Sequence, residues 1–172
     1  MAGRLKLTGQ VLAVALVAGL LGLLIWKVSH GSGATSQPQN FNLPRVDKSG
    51  KLELASLKGK VVVLNFWASW CGPCKQETPM VEQVWKQFKS EGVVVVGIDS
   101  KDFSGDARAF MRHYGVTYPV VRDGDGNLWG PYGVTGVPET RVINRQGKFA
   151  AKFYGAITAA QLRAGIRQAL RT

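Results

Sequence analysis

Apolar residues fall into three successive patterns along the chain. The first is unbroken: from Leu7 to Trp26 there are 20 residues without a charge, and Val11 to Ile25 consists of Val, Leu, Ala, Gly and Ile. At about 1.5 Å per helical residue such a run reaches about 30 Å, the thickness of a bilayer's hydrocarbon core, so a transmembrane helix is expected over 7–26. Arg4 and Lys6 precede it and only Lys27 follows closely. The positive-inside rule then keeps residues 1–6 cytoplasmic and exports the rest, with Trp26 at the interface. The competing reading is a cleaved signal peptide, for which Ser32-Gly33-Ala34 supplies small residues. An anchor is preferred because those residues lie far from the end of a run that is itself longer than a usual signal core. Residues 27–40 are mostly small and polar and are expected to be a tether.

The second pattern is a series of short strands and helices from residue 41 to 172. Phe41 to Leu54 contains two extended pieces around a Ser49-Gly50 turn. Val61 to Phe66 (VVVLNF) is continuously apolar and β-branched, as in a strand buried on both faces of a parallel sheet. Met80 or Val81, Val84, Trp85 and Phe88 then recur at helical spacing, and Val93 to Ile98 is a second buried strand. The order is that of a βαβ unit. A short helix over Ser104–Tyr114, a strand at Val120-Val121 and a turn cluster at Asp123–Asn127 follow. The third pattern is alternation: Thr140–Ile143 and Lys148–Tyr154 form a hairpin around Asn144–Gly147, and Thr158 with Gln161 marks the capped start of an amphipathic helix, Ala159–Leu170. Trp85, Phe88, Phe110 and Leu162 are expected in the core.

Composition sets limits on this picture. Hydrophobic residues make up 45% of the 172 and charged ones 19%, which excludes a disordered chain. The 142 residues beyond the first 30 are enough to bury roughly 68–70% of their unfolded surface, so no structural staple is required. The net charge is +11, and +8 without those 30 residues. That surplus suits an anionic membrane surface or an acidic partner, but no basic run with interleaved aromatics points to nucleic acid.

The chemistry lies in Trp70-Cys71-Gly72-Pro73-Cys74, between the first buried strand and its helix. A thiolate in the first turn of a helix faces unpaired N–H groups and the positive end of the helix dipole, which lower its pKa and make Cys71 a nucleophile near neutral pH. Cys74, one turn on, is placed to attack a mixed disulfide formed on Cys71 and release the product. Zinc would need two further ligands, and the chain offers only His30 and His113 besides this pair. A purely structural disulfide closing so small a loop would add little stability. No metal and no cofactor is expected.

The segment Asn65-Phe-Trp-Ala-Ser-Trp-Cys-Gly-Pro-Cys-Lys75, with Pro79 further along the helix, resembles the active-site segment of thioredoxins. Gly136-Val137-Pro138 is similar to the loop in which thioredoxin-fold proteins carry a cis-proline facing the cysteines. Gly97–Asp102, Tyr132–Thr140 and Val142–Lys148 resemble the membrane-tethered thioredoxins of cytochrome c maturation, the DsbE-type thiol:disulfide interchange proteins of the TlpA-like redoxin group. The resemblance spans residues 41 to 170 and implies an α/β thioredoxin fold: a central mixed sheet flanked by helices, with an N-terminal hairpin extension and a central insert. It further implies catalytic roles for Cys71, Cys74 and Pro138, and client contacts through Trp70, Gly72, Pro73 and the Val137 backbone. Core packing is the safer expectation for Trp67 and Trp70 themselves.

Two departures qualify the family pattern. Asn65 stands where thioredoxin has a buried aspartate, so the proton acceptor for Cys74 must lie elsewhere; Glu139 is the first candidate and Glu77 the second. Gly72-Pro73 is the dipeptide of thioredoxin and not the one most typical of the cytochrome branch. The implied activity is reduction of protein disulfides on the exported side of the cytoplasmic membrane. The implied clients are apocytochrome c or its thiol carrier, and a membrane partner must supply electrons. The alternatives are an exported disulfide oxidase or general exchange protein, a thiol peroxidase, and a non-catalytic anchored binding module. Ala68, three residues before Cys71 where a peroxidase would have threonine, weighs against the peroxidase.

Overall fold

The computed structural model describes residues 14–25 and 37–172. Residues 14–25 are helical (α1) with exposed apolar side chains. Among the described residues no helix is long and apolar enough to cross a membrane. The span expected over 7–26 runs past both ends of α1, into residues outside those described, as does most of the expected tether.

The unit Gln37–Thr172 begins with a small antiparallel hairpin, β1 (Asn42–Pro44) with β2 (Lys51–Glu53). Strand β3 (Val61–Trp67) is buried at every residue. It runs parallel to β4 (Val93–Ser100), which runs parallel to β5 (Val120–Asp123). On its other side β3 pairs antiparallel with β6 (Glu139–Ile143), and β6 pairs with β7 (Phe149–Tyr154). The result is a mixed five-stranded sheet of order β5-β4-β3-β6-β7. Helix α2 (Gly72–Phe88) joins β3 to β4, α3 (Ser104–Tyr114) joins β4 to β5, a short α4 (Trp129–Tyr132) precedes β6, and α5 (Ala159–Arg171) closes the chain. The Gly97–Asp102 segment that resembles the family's acidic insert forms the end of β4 and the turn into α3. Strand β5 extends two residues past the expected one, and α4, a single turn, has no counterpart among the expected elements.

The period-2 alternation of a strand divides the core. Val61, Val63 and Trp67 face a layer made by α2, α3 and α5, where Val81, Val84, Phe110, Leu162 and Ile166 are buried. Val62, Leu64 and Phe66 face the opposite layer with Phe41, Leu52, Leu128 and Tyr132, so the N-terminal hairpin and α4 cover the second side. Thr158 caps α5 with the full reciprocal capping box to Gln161, satisfying N–H groups that the first turn otherwise leaves open. Trp67, stacked on Phe110 at 4.4 Å, sits against Gly97. A Cβ there would come within 2.7 Å of the Trp67 indole nitrogen, which is why β4 carries a glycine in mid-strand. Gly97→Ala is therefore expected to destabilise the domain by about 1–3 kcal/mol through overpacking, measurable as a lower urea midpoint.

Candidate active site

Strand β3 ends at Trp67 and the chain turns through Ala68–Trp70 into α2. Cys71 is the N-cap of that helix, in extended conformation, and Pro73 occupies the first turn, where a missing N–H costs nothing. The Cys71 Sγ accepts the Cys74 backbone N–H at 3.2 Å, so sulfur fills the place that a serine or aspartate oxygen usually takes. The two cysteines form a disulfide, with Cα atoms 5.3 Å apart. Cys71 keeps 3% of its surface exposed and Cys74 none. An incoming group can reach only the first sulfur, which is also the one beside the open N–H groups and the positive end of the α2 dipole. Gly72 and Pro73 are exposed above the pair, as is Lys75.

Sheet register brings the proline loop to the same place. Glu139 pairs with Phe66 across β6 and β3, so Pro138 lies beside the end of β3 from which the chain leaves for the cysteines. The Val137–Pro138 bond is cis. Pro138 is buried and Val137 half-buried, packed against the cluster that contains both cysteines.

The two acidic candidates have different surroundings. Glu139 is buried and fully engaged: one carboxylate oxygen accepts from the Thr135 N–H, the Thr135 hydroxyl and the Gly136 N–H at 2.7–3.1 Å. The other accepts from Arg141. Burial acts to raise its pKa, but the bonds from Thr135 and Arg141 outweigh it and hold the carboxyl below its ordinary value. Glu77 is buried one helical turn beyond Cys74, with one oxygen 2.9 Å from the Asn65 amide nitrogen and the other accepting the Ile157 N–H at 3.1 Å. Burial pushes its carboxyl up, only partly offset by those bonds. Asn65 therefore occupies the buried place on β3 that the resemblance marks, but the acid in that neighbourhood comes from α2.

Arg141 and Asp102 shape the site although sequence alone assigns neither side chain a role of its own. Arg141, wholly buried, donates to the carbonyls of Tyr132, Gly133 and Phe153 at 2.7–3.1 Å and pairs with Glu139. It ties the proline loop to the sheet from below. A lone arginine within the strand expected at Thr140–Ile143 is the available signal. Asp102 accepts the Ser69 N–H at 2.5 Å and the Ser69 hydroxyl at 2.8 Å, which fixes the turn before Cys71. Phe103 follows it, exposed. Nearby, burial and then the charge of Asp102 push the Asp99 carboxyl up to about 7, with Arg122 opposing. Trp70, expected to pack in the core, is 59% exposed, because its indole N–H is satisfied by the Lys101 carbonyl on the rim and does not turn inward. Trp67 alone takes the core position.

A thioredoxin-like fold with a cysteine pair at a helix N-terminus, opposite a cis-proline loop, defines a thiol-disulfide oxidoreductase. Comparison with known proteins agrees: residues 35–152 match the model of the AhpC/TSA family, and the chain belongs to that family. It is similar to the thiol-disulfide oxidoreductase ResA of Bacillus subtilis, 42% identical over 132 residues, 76% of this chain and 70% of that protein. The ResA of Bacillus thuringiensis strain Al Hakam is 30% identical over 160 residues, 91% of this chain and 92% of that one. Among solved structures, a thiol:disulfide interchange protein DsbE from Chlorobium tepidum superposes with a TM-score of 0.73 at 35% identity, covering 78% of this chain and 96% of that one.

Removing Arg141 would leave the Glu139 charge buried and take a donor from four backbone carbonyls. Arg141→Met is expected to cost about 3–5 kcal/mol in urea denaturation, and adding Glu139→Gln should recover part of that loss.

Proposed function

We propose that this oxidoreductase works in the reducing direction, anchored to the cytoplasmic membrane by residues 7–26, on disulfides of exported polypeptides such as the haem-attachment cysteines of apocytochrome c or their thiol carrier. The observation that carries the reading is the buried cysteine pair capping α2 with only Cys71 open to a client. The uncharged run, its flanking basic residues and the likeness to a DsbE interchange protein support the location and the client class.

In the reduced protein, the Cys71 thiolate attacks one sulfur of the client disulfide. A Cys71–client disulfide forms, and the other client sulfur leaves as a thiolate that takes up a proton. Cys74 then gives up its proton and attacks the Cys71 Sγ. The Cys71–Cys74 disulfide forms and the second client thiol leaves, so two electrons and two protons have passed to the client. A membrane donor must return them, since an exported pair has no glutathione pool to reduce it. Val137, packed against the cluster that holds both cysteines, precedes the cis Pro138 and offers its backbone to an extended client. The acceptor for the Cys74 proton is assigned to Glu77 in preference to Glu139. Burial makes Glu77 a stronger base than an ordinary carboxylate, while Glu139 is held ionised by donors and by Arg141.

The full chain in detergent, equilibrated against glutathione, is expected to show a Cys71/Cys74 potential near or below about −230 mV. A value near about −120 mV, that of a disulfide donor, would overturn the reducing direction. Glu77→Gln is expected to slow resolution of the mixed disulfide by at least about tenfold at neutral pH while sparing the Cys71 attack. Rapid-quench trapping should show the mixed disulfide accumulating in the variant.

A further inference from the structure

The rim of the site on the β4 side is built with more care than a loop requires. Sheet order places β4 and β6 on opposite sides of β3, so the turn from β4 into α3 flanks the cysteines across from the proline loop. Lys101 in that turn has φ 53°, the left-handed region, and is the one non-glycine residue with positive φ among the described residues. A side chain tolerates that conformation at a cost, and such residues concentrate where the surrounding structure holds the backbone for a purpose. Here the Lys101 carbonyl accepts the Trp70 indole N–H at 3.0 Å. The next residue, Asp102, bridges the two segments: its carboxylate takes both Ser69 donors and also the Phe103 N–H at 2.8 Å. The Arg122 guanidinium donates to the Asp102 carbonyl, and the Lys101 ammonium lies 3.8 Å from the centre of the Trp129 ring.

What this clamp presents to solvent is apolar. Phe103 is 78% exposed and Trp70 59% exposed, although an aromatic ring gains substantially from burial. Both rings hang from backbone fixed by one carboxylate, next to the turn that carries Cys71. During exchange a client sulfur must bond to the Cys71 Sγ, which brings client residues on either side of it next to this rim. We propose that Phe103, together with Trp70, is the specificity element of the site: it takes a large apolar side chain flanking the client's cysteine. The preferred client is an extended, non-native polypeptide disulfide, because folded proteins bury such side chains and small-molecule disulfides lack them. This deepens the proposed function but rests on the exchange chemistry of the pair and not on its direction. Peptide preference and reduction potential are separate readouts, and either can fail alone.

The test uses the full chain in detergent, reduced beforehand, with three oxidants: a peptide with one internal disulfide flanked by Phe, the same peptide flanked by Ser, and glutathione disulfide. Phe103→Ser is expected to lower the rate constant for the Phe-flanked peptide by about five- to tenfold. It should leave the other two oxidants within about twofold and the potential unchanged, since the residue is on the surface. Phe103→Leu should restore most of the lost rate. Equal loss on glutathione disulfide would overturn the proposal, because Phe103 would then be shaping the cysteines and not meeting the client. An unchanged rate on the Phe-flanked peptide would overturn it as well.

Discussion

The complete burial of β3 is the constraint on which the rest of the domain depends. Seven residues, Val61 to Trp67, have no solvent-facing side, so both edges must be paired and both faces covered before the strand is stable. Pairing with β4 and β6 satisfies its backbone, and the two apolar layers cover its side chains. The C-terminal end of β3 is then the fixed point from which Ser69, Trp70 and the N-cap Cys71 are suspended. Because β4 and β6 end or begin at that same edge, the Asp102 turn and the proline loop come to the cysteines from either side without any further device.

Apolar burial fixes the sheet, but polar groups aim the site. Three buried or half-buried sets surround the cysteines: Arg141 with Glu139 under the proline loop, Asp102 with Ser69 on the turn before Cys71, and Asn65 with Glu77 behind the pair. Each carboxylate in these sets accepts from backbone N–H groups as well as from side chains. A charge taken out of water is tolerated only when its lone pairs are occupied in this way. The same requirement gives these loops a single geometry, because backbone donors of the loop itself are the partners. An exchange site needs that rigidity, since the attacking sulfur has to meet a client disulfide in line.

The two cysteines differ by environment and not by residue type. Cys71 sits at the helix end with a small opening to solvent; Cys74 is enclosed, with the buried Glu77 carboxylate one helical turn further along α2. The proposed division into an attacking and a resolving sulfur rests on this asymmetry.

Much of this was legible in the chain itself. The apolar run of Val61–Phe66, interrupted only by Asn65, marked a doubly covered strand, the helical spacing after Cys74 marked α2, and the Thr158–Gln161 pair marked the start of α5, because each rests on local periodicity or capping. The cysteine spacing likewise declared thiol exchange, since two groups one helical turn apart are neighbours in any helix. The placement of the acids was not legible. Glu139 stands next to Pro138 in sequence, yet Arg141 and the Thr135 turn engage it, and the Glu77 pKa is raised by burial against the bonds from Asn65 and Ile157, which are 12 and 80 residues away. Trp70 and Trp67 are near-identical in local context; only the rim carbonyl of Lys101 draws one outward while Gly97 and Phe110 make room for the other. The sequence by itself determined the strand, the helix and the reactive pair, because these depend on neighbours a few residues apart. The tertiary structure alone decided how each carboxylate is engaged and which aromatic ring reaches the surface, because burial, hydrogen-bond partners and charge at a site are set by segments that only the folded sheet brings together.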